Sequence, residues 1–284
     1  MKLVLKGSEI LSVINALDLY SRIWIGQYNH IMYEMRWIKD CEKLDAREDD
    51  LRRMFISLRN ITLPELSFYG FSGSYGIFSP QRDIRAAVAY DLQQEIRYRR
   101  AWFEKPEGDY TVDFDKPLPC GDDPYPFPKA VCRKDGTDTV LYAEVVTAQA
   151  ETIITALEIK YLMENGNFKE LFSHYTQNEQ AISCAEKITE IYAIIPDDTR
   201  FQHHTEELHE LADKIRKQIP RHRAFFRCPF SNVDVMIADL AEDAVSAVCP
   251  VCKVSHDIPR NDIGRKRVWH RNRNMFMAAG ESEK

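Results

Sequence analysis

The sequence predicts a mainly α-helical protein with a minor β component: two homologous helical lobes in tandem, each ending in a short β-strand or hairpin, with a small zinc-binding hairpin at the C-terminus. Three observations predict it. One motif order occurs twice along 284 residues; apolar residues recur at spacings of three and four through both halves; and Cys249-Pro250-Val251-Cys252 places two thiols one turn apart near the end.

The repeat is read in three blocks. Val13-Ile14-Asn15-Ala16-Leu17-Asp18-Leu19, with Gly26 and Tyr28 behind it, is echoed 140 residues later by Ile153-Ile154-Thr155-Ala156-Leu157-Glu158-Ile159, with Gly166 and Phe168. Leu51 through Leu58 falls on Ile188 through Ile195 at an offset of 137, and Leu92, Ile96, Arg100-Ala101-Trp102-Phe103 and Pro106 fall on Ile215, Ile219, Arg223-Ala224-Phe225-Phe226 and Pro229 at 123. Two amphipathic helices can match by chance, but three blocks in one order favour a fused pair of units rather than a solenoid. The expected organisation is a first unit over 1–118, a Pro-rich linker over 119–138, a degenerate second unit with a Cys-rich hairpin over 139–258, and a basic tail over 259–284. Units of about 120 to 150 residues are large enough to bury their own cores.

Element by element, Ser8 caps a first helix expected from about residue 9 to the late 30s, its stripe running through Ile10, Val13, Ile14, Leu17, Tyr20 and Trp24. A charged turn or frayed helix follows from Cys41 to Asp50, and helical spacing resumes at Leu51, Met54, Phe55 and Leu58 until Pro64. Residues 68–78 combine three glycines with five aromatics, a loop that cannot be helical and is too apolar to float free. Ser79-Pro80 opens the next helix, and the alternation over 110–114 predicts a short strand. After the linker and the Asp135-Gly136 turn, a helix is expected from near Val140, broken at Asn165-Gly166-Asn167; a further helix runs from about Thr205 to Ile219, and Val233 to Ile237 mirrors the strand of the first unit. The aromatic loop has no counterpart in the second unit.

The composition is that of an ordinary soluble globular chain, no apolar run approaches a membrane span, and the start is too short of apolar residues for a signal peptide; the expectation is a cytoplasmic protein with reduced cysteines and no membrane partner. A net charge of -6 argues against a protein that coats nucleic acid all over.

The line Ser74-Tyr75-Gly76-Ile77, Pro80, Arg85, Ala89-Tyr90-Asp91-Leu92, Arg97, Ala101-Trp102, Pro106-Glu107-Gly108 and Val112-Asp113-Phe114-Asp115-Lys116-Pro117 resembles a family of small, mostly helical proteins encoded by phages and prophages of Gram-positive bacteria. With the first helix the resemblance covers about residues 3–118. It implies a mobile-element origin and supplies no mechanism and no catalytic residues. The chain departs from the single-unit pattern in its second copy and its cysteine-containing end.

Several residue sets could carry chemistry. Cys228, Cys249, Cys252 and His256 could complete a structural Cys3His zinc site, against the alternative of reduced side chains without metal. Arg265, Lys266, Arg267, Trp269, Arg271 and Arg273 form a basic run with one stacking aromatic, able to track a phosphate backbone or to be a solvated tail. Arg97, Arg99 and Arg100 stand at positions equivalent to Arg221, His222 and Arg223, and around a pseudo-twofold axis they could form one anion site; the plainer reading is helix ends complementing the dipole. Tyr69, Phe71 and Tyr75 of the aromatic loop are candidates for partner contact. His203, His204 and His209 with Glu206, Glu207 and Glu210 could hold a metal on one helix, although no second Glu-x-x-His supports it. No P-loop, nucleophile elbow or dinucleotide fingerprint is present.

The reading that follows is a phage-encoded, non-catalytic binding protein that targets a host factor, such as an inhibitor of an anti-phage defence protein or a binder of an anionic small molecule. It would be a monomer with internal pseudo-twofold symmetry or a homodimer. The alternative is a zinc-stabilised nucleic-acid-binding protein acting through its C-terminal end, and a helical metalloenzyme is third.

Overall fold

Leu3 and Leu5 alternate with Lys2, Val4 and Lys6, and these five residues form strand β1 (Lys2–Lys6) with both leucines fully buried. The computed structural model describes residues 1–121, 125–198 and 205–219 throughout and, beyond them, the backbone of five short strands.

Helix α1 (Ser8–Trp24) buries Ile10, Val13, Ile14, Leu17 and Tyr20 of the stripe that the spacing predicts, and Ile23 rather than the half-buried Trp24 completes it. It stops well short of the late 30s. Gly26 adopts a φ of 86°, and the N–H groups of Gly26 and Gln27 donate to the carbonyls of Ile23 and Arg22, which closes the helix before α2 (Asn29–Met35) begins. The expected single helix is therefore two, because a glycine in the left-handed region reverses the chain at low steric cost. The second half repeats this ending. Helix α6 (Thr147–Glu164) leads to Gly166 at φ 68°, Gly166 and Asn167 donate to Met163 and Leu162, and α7 (Phe168–Ser173) follows.

The charged stretch after Cys41 holds a short α3 (Cys41–Asp45), capped by the Asp40 carboxylate, and then α4 (Glu48–Thr62), which buries Leu51, Phe55, Leu58 and Arg59. Helix α8 (Glu179–Ala193) buries Ala181, Ala185, Ile188 and Tyr192. Helix α5 (Ile84–Glu104) starts later than Ser79-Pro80 suggests, because Asp83 is the residue whose carboxylate accepts from the Arg85 N–H, at 2.8 Å. Helix α9 (Thr205–Gln218) buries Leu208, Leu211, Ala212 and Ile215.

Two expectations are corrected in the middle of the chain. The strand expected over 110–114 is a 3-10 turn at Val112–Phe114; Phe114 packs edge-on against Trp102 at 5.3 Å and its carbonyl accepts from the indole Nε1 at 3.1 Å, while Val112 stays exposed. An aromatic contact, not a strand partner, accounts for the alternation. The helix expected from Val140 is preceded by β3 (Asp138–Glu144), joined through Gly136 at φ 61° to β2 (Lys129–Asp135), inside the stretch read as linker. β3 lies between β1 and β2 and is antiparallel to both, with Leu3 opposite Ala143 and Cys132 opposite Leu141.

Packing joins the two halves. Helix α1 lies along both α5 and α6, α6 along α9, and α4 along α8. One buried cluster runs from Leu3, Val13 and Phe55 through Leu92 to Ile153, Phe168 and Ile215. Each large apolar side chain in it contributes roughly 1.5–3 kcal/mol relative to exposure. Two buried lysines also cross between the halves: Lys160 bridges Glu34 at 2.9 Å and Glu164 at 3.2 Å, and Lys39 reaches Asp197 at 2.6 Å with its ammonium over the Tyr192 ring. Paired carboxylates offset the cost of taking these charges out of water.

Further on, β4 (His222–Arg227) lies between β5 (Asp234–Ile237) and β8 (Gly264–Arg267), and β6 (Ala244–Val248) pairs with β7 (Ser255–Pro259). The stretch read as a basic tail thus includes a strand, β8, bonded to β4. No helix among the described residues is long and apolar enough to cross a membrane.

Candidate interaction site

Arg59 falls four residues after Phe55, on the buried stripe of α4, and is itself only 1% exposed. A cation at such a position requires partners. The chain supplies them from the aromatic loop: Nη1 donates to the carbonyls of Gly70 at 2.8 Å, Phe71 at 3.3 Å and Gly73 at 2.8 Å, and Nη2 to those of Leu66 at 3.4 Å and Tyr69 at 2.8 Å. Burial pulls the guanidinium below its ordinary pKa, and the five carbonyl dipoles compensate the cation. The loop expected to dock against something docks, backbone first, on one buried arginine.

Other contacts fix its two ends. Leu63 and Leu66 close over Gly26, so near that a Cβ there would fall 2.6 Å from the Leu66 side chain. Tyr75 donates its N–H to the Ile25 carbonyl at 2.8 Å and its hydroxyl to Glu65. Gly73 is held in the tightest part of the loop, where a Cβ would stand 2.2 Å from the Cβ of Tyr69.

This arrangement sorts the loop's aromatics. Tyr75 is buried and serves as an anchor; Phe71 is half-buried, with the Arg52 guanidinium 5.0 Å from its ring; Tyr69 is exposed. Phe68 is 95% exposed and Phe78 is 51% exposed, packed edge-on against Tyr90. The sequence offers Tyr69, Phe71 and Tyr75 of the aromatic loop as contact candidates, yet the most exposed rings are those of Phe68 and Tyr69. Arg59 carried a legible signal, an arginine on an apolar stripe directly before a glycine-rich aromatic loop.

The basic sets lie elsewhere. Arg97 is largely buried and donates to Gln94 at 2.6 Å, with Asp113 at 3.6 Å; Arg99 pairs with Glu95 at 2.7 Å and Arg100 with Glu104 at 2.9 Å. All three belong to the body of α5, whereas His222 and Arg223 are on strand β4 and Arg221 lies outside the described residues. The two sets therefore do not occupy equivalent elements. Glu95 also accepts from the Ala130 N–H at 3.2 Å, and Gln218, 123 residues further on at the end of α9, accepts from the Val4 N–H at 3.4 Å. Beyond Ile96 the chain stays in α5, whereas beyond Ile219 it passes to strand β4.

A second polar cluster sits where α1, α2 and α6 meet. His30 Nε2 lies 3.4 Å from Asp18 and 3.5 Å from Glu34, Arg22 pairs with Asp18 at 2.7 Å, and Lys160 completes the chain. Burial would raise the Asp18 carboxyl, but hydrogen bonds from His30 and Arg22 hold it below the ordinary value. The hydroxyl of Tyr28, bonded to Thr62 at 2.8 Å, is pushed up to about 12 by burial.

For metals, His209 on α9 is exposed and lies 3.9 Å from Asp213, and no group of three or more metal-ligating side chains occurs among the described residues; His203 and His204 lie outside them. Cys228, Cys249 and Cys252 also lie outside the described residues, and only the backbone of His256, opposite Ala247 on β6, is described. Arg265, Lys266 and Arg267 are on β8, with Arg267 opposite His222 and Lys266 opposite Arg223, while Trp269, Arg271 and Arg273 lie outside. Compared with known proteins, the chain matches no family model, no curated protein and no solved structure.

Proposed function

We propose that this chain works by contact, as a non-catalytic binding protein that presents the aromatic loop to a protein of a bacterial host. The observation that carries the reading is the loop itself: its backbone is held in one shape by a buried arginine, while Phe68 and Tyr69 project outward. Large apolar rings kept in water on a preorganised loop are the composition of a recognition surface, where binding costs little ordering entropy. The resemblance to phage-encoded proteins supports a host factor as target, with inhibition of a defence protein the natural role.

The same reading takes the two halves as descendants of one unit related by a pseudo-twofold axis. Leu3 faces Ala143, its own counterpart at the 140-residue offset; α1 packs on α6 and α4 on α8, each helix on its equivalent; and the glycine-closed endings at Gly26 and Gly166 match bond for bond. Asymmetry between the halves then points to function, and the loop is the largest asymmetry.

The test is capture from a lysate of a Gram-positive bacterium with the full chain and with a Phe68→Ser/Tyr69→Ser variant. The expected result is a host protein retained by the parent and lost by the variant at unchanged melting temperature. Equal retention by both, or none by either, would sink the reading.

One observation favours a second reading. The register of β4 on β8 sets His222 and Arg223 beside Arg267 and Lys266, which gathers two basic segments far apart in sequence on neighbouring strands. A nucleic-acid interface there, braced by zinc at Cys228, Cys249, Cys252 and His256, would show binding that falls steeply with salt and is lost on chelation.

A further inference from the structure

The way Arg59 holds the loop also sets what the loop can offer a partner. In a trans peptide the carbonyl of one residue and the N–H of the next point in opposite directions, and no peptide bond in the described chain is cis. The carbonyls of Tyr69, Gly70, Phe71 and Gly73 all turn inward to the guanidinium. The N–H groups of Gly70, Phe71, Ser72 and Ser74 must therefore turn outward, and none of them donates to an acceptor within the described chain. Four of the loop's carbonyls are spent on Arg59, and the four N–H groups that follow them are left as donors beside the exposed rings of Phe68 and Tyr69. The peptide dipoles, aligned with their negative ends on a buried cation, add positive potential to the same surface.

We infer that the partner is an acidic protein surface, rich in carboxylate and carbonyl oxygens, around an apolar pocket that receives Phe68 or Tyr69. This rests on the contact reading above and names its chemistry. A surface whose own donors faced this loop would leave N–H groups on both sides without acceptors, each a penalty on desolvation. A nucleic-acid strand fits less well: carbonyls that converge on one guanidinium send their N–H groups apart in a fan, not along the line of a phosphate backbone.

The experiment is selection of a random-peptide display library on the full chain, with bound peptides re-measured on Phe68→Ser and Ser72→Pro variants. Ser72→Pro deletes one outward N–H and leaves Arg59 and the aromatic rings in place. Peptides that pair acidic residues with an apolar residue should be enriched, lose binding several-fold on Phe68→Ser, and lose it again on Ser72→Pro. Where Ser72→Pro lowers the melting temperature, amide hydrogen exchange on the parent replaces it, and Gly70, Phe71, Ser72 and Ser74 should slow when peptide binds. Phe68-dependent peptides that are basic, or that neither respond to Ser72→Pro nor slow these amides, would overturn the donor inference while leaving the contact reading. Failure to select any Phe68-dependent peptide would overturn both. Displacement of bound peptide by a homopolymeric oligonucleotide would overturn the choice of a protein partner.

Discussion

Helices α4 and α8 pack against each other but lead into different segments. Leu58, inside α4, and Ile195, two residues past the end of α8, stand 137 residues apart and are both buried, but the next position is Arg59 in one half and Pro196 in the other. After Pro196 the chain turns to pair with the first half, its carbonyl accepting from the Asp40 N–H at 2.9 Å and Asp198 donating to Ile38 at 2.8 Å. Helix α4 runs on past Arg59 to Thr62, and the long loop that follows turns its carbonyls onto the guanidinium. The comparison teaches that an irregular segment can be as well specified as a helix when one buried cation takes up its carbonyls, and that the half carrying this device presents the exposed aromatic rings.

The largest expected effect comes from removing that device. Arg59→Met leaves the inward carbonyls of Tyr69, Phe71 and Gly73 without donors, those of Leu66 and Gly70 keeping the N–H groups of Tyr69 and Gly73, and unfolding in urea should show a loss of about 3–4 kcal/mol, with rapid proteolysis confined to the loop. Unchanged stability would mean the loop is held by its aromatics and not by Arg59.

The two glycine endings sharpen the comparison at the next level. In Gly166→Ala the new Cβ falls 2.3 Å from the Tyr192 ring, whose hydroxyl is tied to the Glu164 carbonyl at 2.8 Å, so the ring cannot retreat; about 2–4 kcal/mol should be lost. In Gly26→Ala the nearest atoms are the ends of the Leu66 and Leu63 side chains, which can rotate away, and the loss should be nearer 1–2 kcal/mol. Equal losses in paired thermal unfolding would show that the surroundings of the two endings do not differ in stiffness.

The smallest effect tests equivalence directly. Tyr28→Phe gives the first half the side-chain type that Phe168 supplies in the second, and it removes one hydroxyl bonded to Thr62. Because Thr62 keeps the Leu58 carbonyl as an acceptor at 2.9 Å, the expected cost is about 1 kcal/mol or less in the same assay. A cost of several kcal/mol would show that this ring position is not interchangeable between the halves.

The sequence by itself determined the helical class and most of the apolar stripes of α1, α4, α5 and α9, because periodicity is a local property of the chain. It also marked the aromatic loop, since glycines and rings together exclude a helix. Only the tertiary structure decided which rings face water, that Arg59 gathers the loop, that residues 138–144 form a strand between two others, and that Val112 to Phe114 turn instead of extending. Those outcomes depend on partners distant in sequence: carbonyls seven to fourteen residues beyond Arg59, the indole of Trp102, and β1 at the other end of the first half. Local pattern fixes which surfaces are apolar, while the satisfaction of buried polar groups, which is a property of the assembled chain, selects among the arrangements that the pattern allows.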